Sequence, residues 1–165
     1  MLSTNGHSAL GGDDFYHRIY CWILAQTGLS GLNAHDNRLL LTRAREAKEN
    51  LTDHNETHIT AVLSDKPVID LCLSAAVFHE ISQSLVQNTL SPVRKALRDA
   101  KLSISDIKGV VMVGGATRMP HIRLAVADFF AQTPLTNLNP DTVVAVGAAV
   151  AVEVRAPQIL IPRRE

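Results

Sequence analysis

The segment that most constrains this chain is Val110-Val111-Met112-Val113-Gly114-Gly115-Ala116-Thr117-Arg118-Met119-Pro120. Its apolar run reads as a strand buried on both faces of a sheet, because a half-exposed strand alternates polar and apolar side chains. The glycine pair ends that run abruptly. Pro120 suits the first turn of a helix with Ile122, Val126, Phe129 and Phe130 as its buried stripe. A strand handed through two glycines to a helix indicates an α/β domain. With no Cβ in the way, backbone N–H groups there can approach a phosphate or nucleotide, and the helix start adds partial positive charge. The same glycines also serve as a plain tight turn. Arg118 could lay its guanidinium on an aromatic base with Met119 as an apolar edge, or lie on the surface with a partly buried stem.

The remaining elements follow from periodicity. Phe15, Ile19, Trp22 and Ile23 share one helical face after Gly11-Gly12-Asp13-Asp14; Asp13 or Asp14 is placed to cap the helix and Gly28 to end it. Leu40, Ala44, Ala47 and Leu51 predict a second helix over about 36–51. Runs at 59–64 and 68–74 predict a hairpin around Ser64-Asp65-Lys66-Pro67. Ser74 caps a helix carrying Val77, Phe78, Ile81 and Leu85; Ser91 and Pro92 then predict a break near Thr89 and a fresh helical start. A last helix should run from Asn139-Pro140-Asp141 through Val143 to Glu153, with Gly147 costing about 1 kcal/mol against alanine. The tail 155–165 has no assigned element.

Length and charge narrow the function classes. A chain of 165 residues buries roughly 70% of its unfolded surface, enough for a core without disulfides or structural metal. Lys and Arg total 16 against 16 Asp and Glu, which argues against a generally basic nucleic-acid binder or a polybasic membrane binder. No run approaches the roughly 18 apolar residues of a membrane-spanning helix, and the start carries no secretory signal pattern. Cys21 and Cys72 have neither zinc-ligand nor CxxC spacing, so two buried reduced thiols in a cytosolic protein are expected. His54 and His58 straddle a loop and a strand start, and no Ser-His-Asp order, nucleophile elbow or HExxH is present. Arg45, Lys48 and Thr52 form a polar stripe opposite Leu40, Ala44, Ala47 and Leu51. Such a stripe can meet a ribose and phosphates or simply face solvent.

Leu10-Gly11-Gly12-Asp13-Asp14-Phe15, Thr89 through Ala100, the segment 113–120, and Asn139-Pro140-Asp141 followed by Gly147-Ala148-Ala149-Val150 resemble the 70-kilodalton heat-shock chaperones, in that family's order and spacing over about 1–154. Ser8 through Asp14, Phe129-Phe130 and Pro134-Leu135-Thr136 look most like its iron-sulfur-cluster assembly branch, the HscA type. The resemblance implies part of an actin-like, ribonuclease H-like ATPase fold. This chain would be an incomplete nucleotide-binding domain, mostly its second lobe, with a helix-plus-hairpin tip subdomain over about 11–83, a core subdomain from 1–10 and 84–154, and a divergent tail at 155–165. By the same resemblance Gly114, Gly115 and Arg118 match the adenosine-contacting turn and its base-stacking arginine. Met119 takes the adjacent apolar position and Asp141 an acidic position behind the turn. Gly12 matches a glycine at the cleft edge, and Lys48 and Thr52 match residues that clasp the adenosine.

Departures accompany the match. Arg45 stands where many members have an acidic residue and Glu49 where many have a basic one, so these two are expected to pair across one helical turn. Ala116 replaces a common serine, and Tyr16 replaces an aspartate. The family's phosphate loops, catalytic lysine and metal-coordinating aspartates correspond to positions before Met1, and its substrate-binding domain to positions after the tail. The implied cofactor is therefore ATP or ADP held on its adenosine side, with Mg²⁺ expected only with the other lobe, and no ATP hydrolysis by this chain alone. In the full-length context the implied partners are a J-domain co-chaperone and an iron-sulfur scaffold protein. The competing readings are a stand-alone module for a nucleotide-exchange-type partner, another actin-like ATPase or sugar kinase, and a gene remnant without a role.

Overall fold

A computed structural model describes residues 2–6, 10–64 and 68–135 of the chain. The helix expected from Asn139, with Asp141 and Gly147, the tail, and the proline of the hairpin turn lie outside the described residues.

Helix α1, Gly12–Thr27, buries Phe15, Ile19 and Ile23 and leaves Trp22 half-buried. Its cap position is Gly11, ahead of the expected Asp13 or Asp14; Asp14 accepts a 2.7 Å bond from the Gly11 N–H, which serves an otherwise unpaired donor at the helix start. Gly28 ends the helix with φ 65°. Helix α2, Ala34–Asn50, begins earlier than expected because Asn33 takes the cap, its Oδ1 accepting from the Asp36 N–H at 2.8 Å. It buries Leu40, Ala44 and Ala47 and packs against α1.

The hairpin forms, with its first strand three residues earlier than the expected 59–64: β1, Glu56–Ala61, and β2, Ile69–Ser74, pair antiparallel from Glu56 opposite Ser74 to Ala61 opposite Ile69. Period-two alternation turns Thr57, Ile59 and Ala61 inward, with Ile69 and Leu73 from β2. Asp36, 2% exposed, ties the start of α2 to the end of this hairpin. Its carboxylate accepts from the Ser64 N–H at 3.2 Å, the Ser64 hydroxyl at 3.1 Å and Asn33 Nδ2 at 2.9 Å. Several donors on one carboxylate meet the requirement that a buried charge be hydrogen-bonded.

The break expected near Thr89 does not occur: α3 runs unbroken over Ala75–Asp99 with Pro92 inside it. Ser74 caps it, accepting from the Val77 N–H at 3.3 Å. Proline inside a helix costs about 3 kcal/mol. Val86 and Leu90 are buried on either side of Thr89, and each such burial contributes about 1.5–3 kcal/mol, so tertiary packing outweighs the local signal. Thr89 stays within the helix, its Oγ1 donating to the Val86 carbonyl at 2.6 Å.

The doubly buried strand at 110–113 is also corrected. Within the described residues it is an isolated parallel bridge, Val111 to Leu135, with the Leu135 N–H donating to the Val110 carbonyl at 2.8 Å. Val111 is 47% and Val113 43% exposed. A strand buried on both faces needs neighbours on each edge, and among the described residues only Leu135 pairs with it. Helix α4, Pro120–Phe130, starts at the proline as expected. Of its predicted stripe Ile122 is buried, whereas Val126, Phe129 and Phe130 are half-buried, and His121 takes the other deep position.

Both cysteines are exposed, against the expectation of buried thiols. Cys72 falls on the outward side of β2, and Cys21 lies between the buried Ile19 and Ile23 but on another face of α1. Among the described residues the architecture is mixed: four α-helices and a small antiparallel sheet around one core, which extends from Phe15 and Leu40 through Leu73 and Phe78 to Met119 and Ile122. No described helix is long and apolar enough to cross a membrane.

Candidate functional site

Gly12 opens α1, and Lys48 sits in the last turn of α2. A Cβ on Gly12 would lie 3.5 Å from Lys48 Nζ, which sets the ammonium beside the helix start at ordinary contact distance. The same Nζ is 5.7 Å from the centroid of the Tyr16 ring, a cation–π contact on the aromatic face. Tyr16, the departure from the resembled pattern, therefore helps to hold Lys48. Thr52 is half-buried one turn beyond Lys48, its N–H donating to the Glu49 carbonyl at 3.1 Å.

The polar stripe on α2 is divided. Arg45 Nε meets Glu49 Oε1 at 3.0 Å, the pairing expected of the apparent charge swap. That hydrogen bond and the carboxylate's charge raise the Arg45 pKa further above its ordinary value. Arg45 is thus engaged along its own helix while Lys48 faces α1.

The Gly114-Gly115 turn differs from a direct strand-to-helix entry. Gly114 has φ 98°, a conformation costly for any residue with a Cβ, and caps a one-turn 3-10 helix over Gly115–Arg118 that precedes α4. Thr117 closes the turn: its N–H donates to the Gly114 carbonyl at 3.0 Å and its hydroxyl to the same oxygen at 2.6 Å. Gly114, Gly115 and Arg118 are exposed, whereas Met119 is 2% exposed. Met119 is thus a core anchor for the turn, not an open apolar edge. Asp141 lies outside the described residues.

His121, two residues past Met119, joins this turn to α1 and α3. Its ring lies 6.1 Å from that of Phe15, 5.0 Å edge-on from Phe78 and 5.6 Å from His79, centroid to centroid, and its Nε2 is 3.3 Å from Ser82 Oγ. Burial, followed by the charge of His79, pushes its pKa down to about 4, so the ring is neutral at pH 7. Phe15 stands three residues after Gly12, and this packing therefore brings the start of α1 to the start of α4. Sequence reasoning missed His121, Ser82 and Asp36. The available signal for Ser82 was its place in the stripe Phe78, Ser82, Leu85; a lone histidine after a helix-opening proline carries none.

The described surface presents an ammonium, the start of a helix, an exposed glycine pair and an exposed arginine. Those groups can recognise a polar, flat, anionic ligand. Among the described residues no group of His, Cys, Asp or Glu is arranged to hold a metal ion, so Mg²⁺ does not fit these residues and no step is assigned to it.

A family model described as "Hsp70 protein" matches residues 1–161. The chain is similar to the "Chaperone protein HscA homolog" of Chromobacterium violaceum, 62% identical over 156 residues, which cover 94% of this chain and 25% of the relative. It is 60% identical over 156 residues to the protein of that name in Laribacter hongkongensis, with 94% and 25% covered. The homolog of Methylobacillus flagellatus is 56% identical over the same span and shares. The chain spans about a quarter of the length of these relatives.

Proposed function

Because this chain belongs to the Hsp70 family, we propose that it is the adenosine-side part of an HscA-like chaperone ATPase domain, mostly the second lobe, with 11–83 as its tip subdomain. Gly12, Lys48 and Thr52 clasp the adenosine from the tip. Gly114, Gly115 and Arg118 form the opposite wall, with Met119 anchoring the turn; Asp141 is assigned to the same site by the resemblance alone. The observation that carries the reading is that Lys48 Nζ lies 3.5 Å from where a Cβ on Gly12 would stand. Residues from separate helices matched independently to one ligand adjoin in space.

Arg118 stacks on the base and Lys48 offers its ammonium to the sugar-phosphate side. Phosphoryl transfer requires placed phosphates, metal and attacking water. The reading assigns none of those roles to this chain, so ADP binding without turnover is its expected activity. In a longer protein it would serve iron-sulfur protein maturation with a J-domain co-chaperone and a scaffold protein. Calorimetric titration of the chain with ADP tests this. Binding that weakens about tenfold or more in Arg118→Ala and Lys48→Ala, the loss of roughly 1.4 kcal/mol, supports it; binding indifferent to both changes contradicts it.

A second reading, an interaction module for a nucleotide-exchange-type partner, draws on Val62 and Val68, 73% and 65% exposed at the hairpin end. Capture of such a partner that survives Arg118→Ala but is lost on altering the exposed face of α2 would favour it.

A further inference from the structure

His121 contacts no ligand in the proposed site, yet it occupies the junction between that site's two halves. The Ser82 hydroxyl carries one hydrogen, and helix carbonyls claim it: that of Phe78 lies at 2.6 Å and that of His79 at 3.3 Å. The 3.3 Å contact between Ser82 Oγ and His121 Nε2 is therefore a bond donated by the ring to the hydroxyl. That direction fixes the neutral tautomer, with the proton on Nε2 and Nδ1 bare. It also fixes the plane of the ring, which meets Phe78 at 84° and Phe15 at 53°.

Packing alone does not account for a histidine here. The position is 7% exposed and lined by the rings of Phe15, Phe78 and His79, surroundings in which a leucine or phenylalanine would be buried without desolvating two ring nitrogens. What a histidine adds is a directional bond, and Ser82, 0% exposed in the N-terminal third of α3, supplies its acceptor. His121 is the second residue of α4 and stands three residues beyond Arg118. Whatever fixes its ring fixes the end of the Gly114–Arg118 turn.

We propose that His121 is a positioning residue for the nucleotide site: by donating Nε2–H to Ser82 it locks the start of α4, and with it the Gly114–Arg118 turn, against α1 and the Gly12–Lys48 contact. The role rests on the adenosine-side reading. It makes α3 part of the site although no α3 side chain is assigned to the ligand.

ADP titrations of the 165-residue chain test the proposal, using wild type, Ser82→Ala, Arg118→Ala and Ile23→Val. Ile23→Val removes one methylene from the same core at 0% exposure, on α1 and two turns beyond Phe15, and controls for lost stability. Imidazole ¹⁵N shifts report the tautomer independently of ADP. The expected result is an Nε2-protonated ring in wild type that becomes a tautomer mixture in Ser82→Ala, with ADP bound about fivefold or more weaker in that variant and within twofold of wild type in Ile23→Val. A wild-type ring protonated on Nδ1 overturns the proposal. So does ADP binding that needs Arg118 but is unchanged in Ser82→Ala, or that falls equally in Ser82→Ala and Ile23→Val; in those cases the adenosine-side reading stands. Failure of wild type to bind ADP overturns that reading and the positioning role with it, even where the tautomer is as described.

Discussion

Lys48 Nζ lies 3.5 Å from where a Cβ on Gly12 would stand and is steadied over the Tyr16 ring. Distance separates the outcomes of two substitutions. A single methyl at 3.5 Å is ordinary contact with the flexible end of a lysine, so Gly12→Ala should leave ADP affinity within about twofold. Gly12→Val carries two further carbons into the same space and should displace the ammonium. Its expected effect is a several-fold loss of ADP affinity, measured by calorimetry, with thermal stability near that of wild type. Equal affinity in both variants would detach Lys48 from the ligand.

The depressed pKa of His121 makes stability depend on pH. The folded chain holds this ring neutral down to about pH 4, whereas an unfolded chain protonates it near 6.5. Between those values the unfolded state binds more protons, so the contribution is complete above pH 6.5 and is lost as pH falls toward 4. At no more than about 1.4 kcal/mol per pH unit between 6.5 and about 4, the loss is at most roughly 3 kcal/mol. Urea unfolding at a series of pH values checks this, and His121→Gln should flatten the slope across the same window.

The Arg45–Glu49 pair is largely exposed, with side chains 67% and 56% accessible. Exposed pairs along a helix contribute little to stability, so the double exchange Arg45→Glu with Glu49→Arg should leave the melting temperature unchanged. It restores an acidic acceptor at the position where the resembled family carries one. ADP affinity should therefore rise several-fold in the exchanged protein, read by calorimetry. An unchanged affinity would place Arg45 outside the ribose clasp.

Pro92 lies within α3 and removes an N–H from the helix ladder, so Pro92→Ala should stabilise the chain by about 1–3 kcal/mol in urea unfolding. The same residue shows where sequence reading stopped short. A serine-proline pair signals a helix start as long as the chain is read locally, and nothing local reveals that Val86 and Leu90 are buried on the two sides of Thr89. Periodicity did place α1, α2 and α4 and the hairpin, because each carries a stripe or an alternation of its own. The run Val110-Val111-Met112-Val113 carried the strongest strand signal and, among the described residues, forms only a bridge to Leu135, since pairing depends on neighbours that composition does not specify. Lys48 and Gly12 were legible through resemblance, and their proximity follows from the packing of α1 on α2. His121 and Ser82 were not legible, because their meaning lies in a contact across 39 positions of chain.

The central claim is that this chain grips the adenosine side of a nucleotide and leaves the phosphates to others. Parallel calorimetric titrations with adenosine, AMP and ADP, without added metal, measure it most directly. The account predicts binding of all three, with affinities within about tenfold of one another, a span of roughly 1.4 kcal/mol, and a common dependence on Arg118. Binding of ADP alone, with no heat from adenosine and no loss in Arg118→Ala, would contradict it.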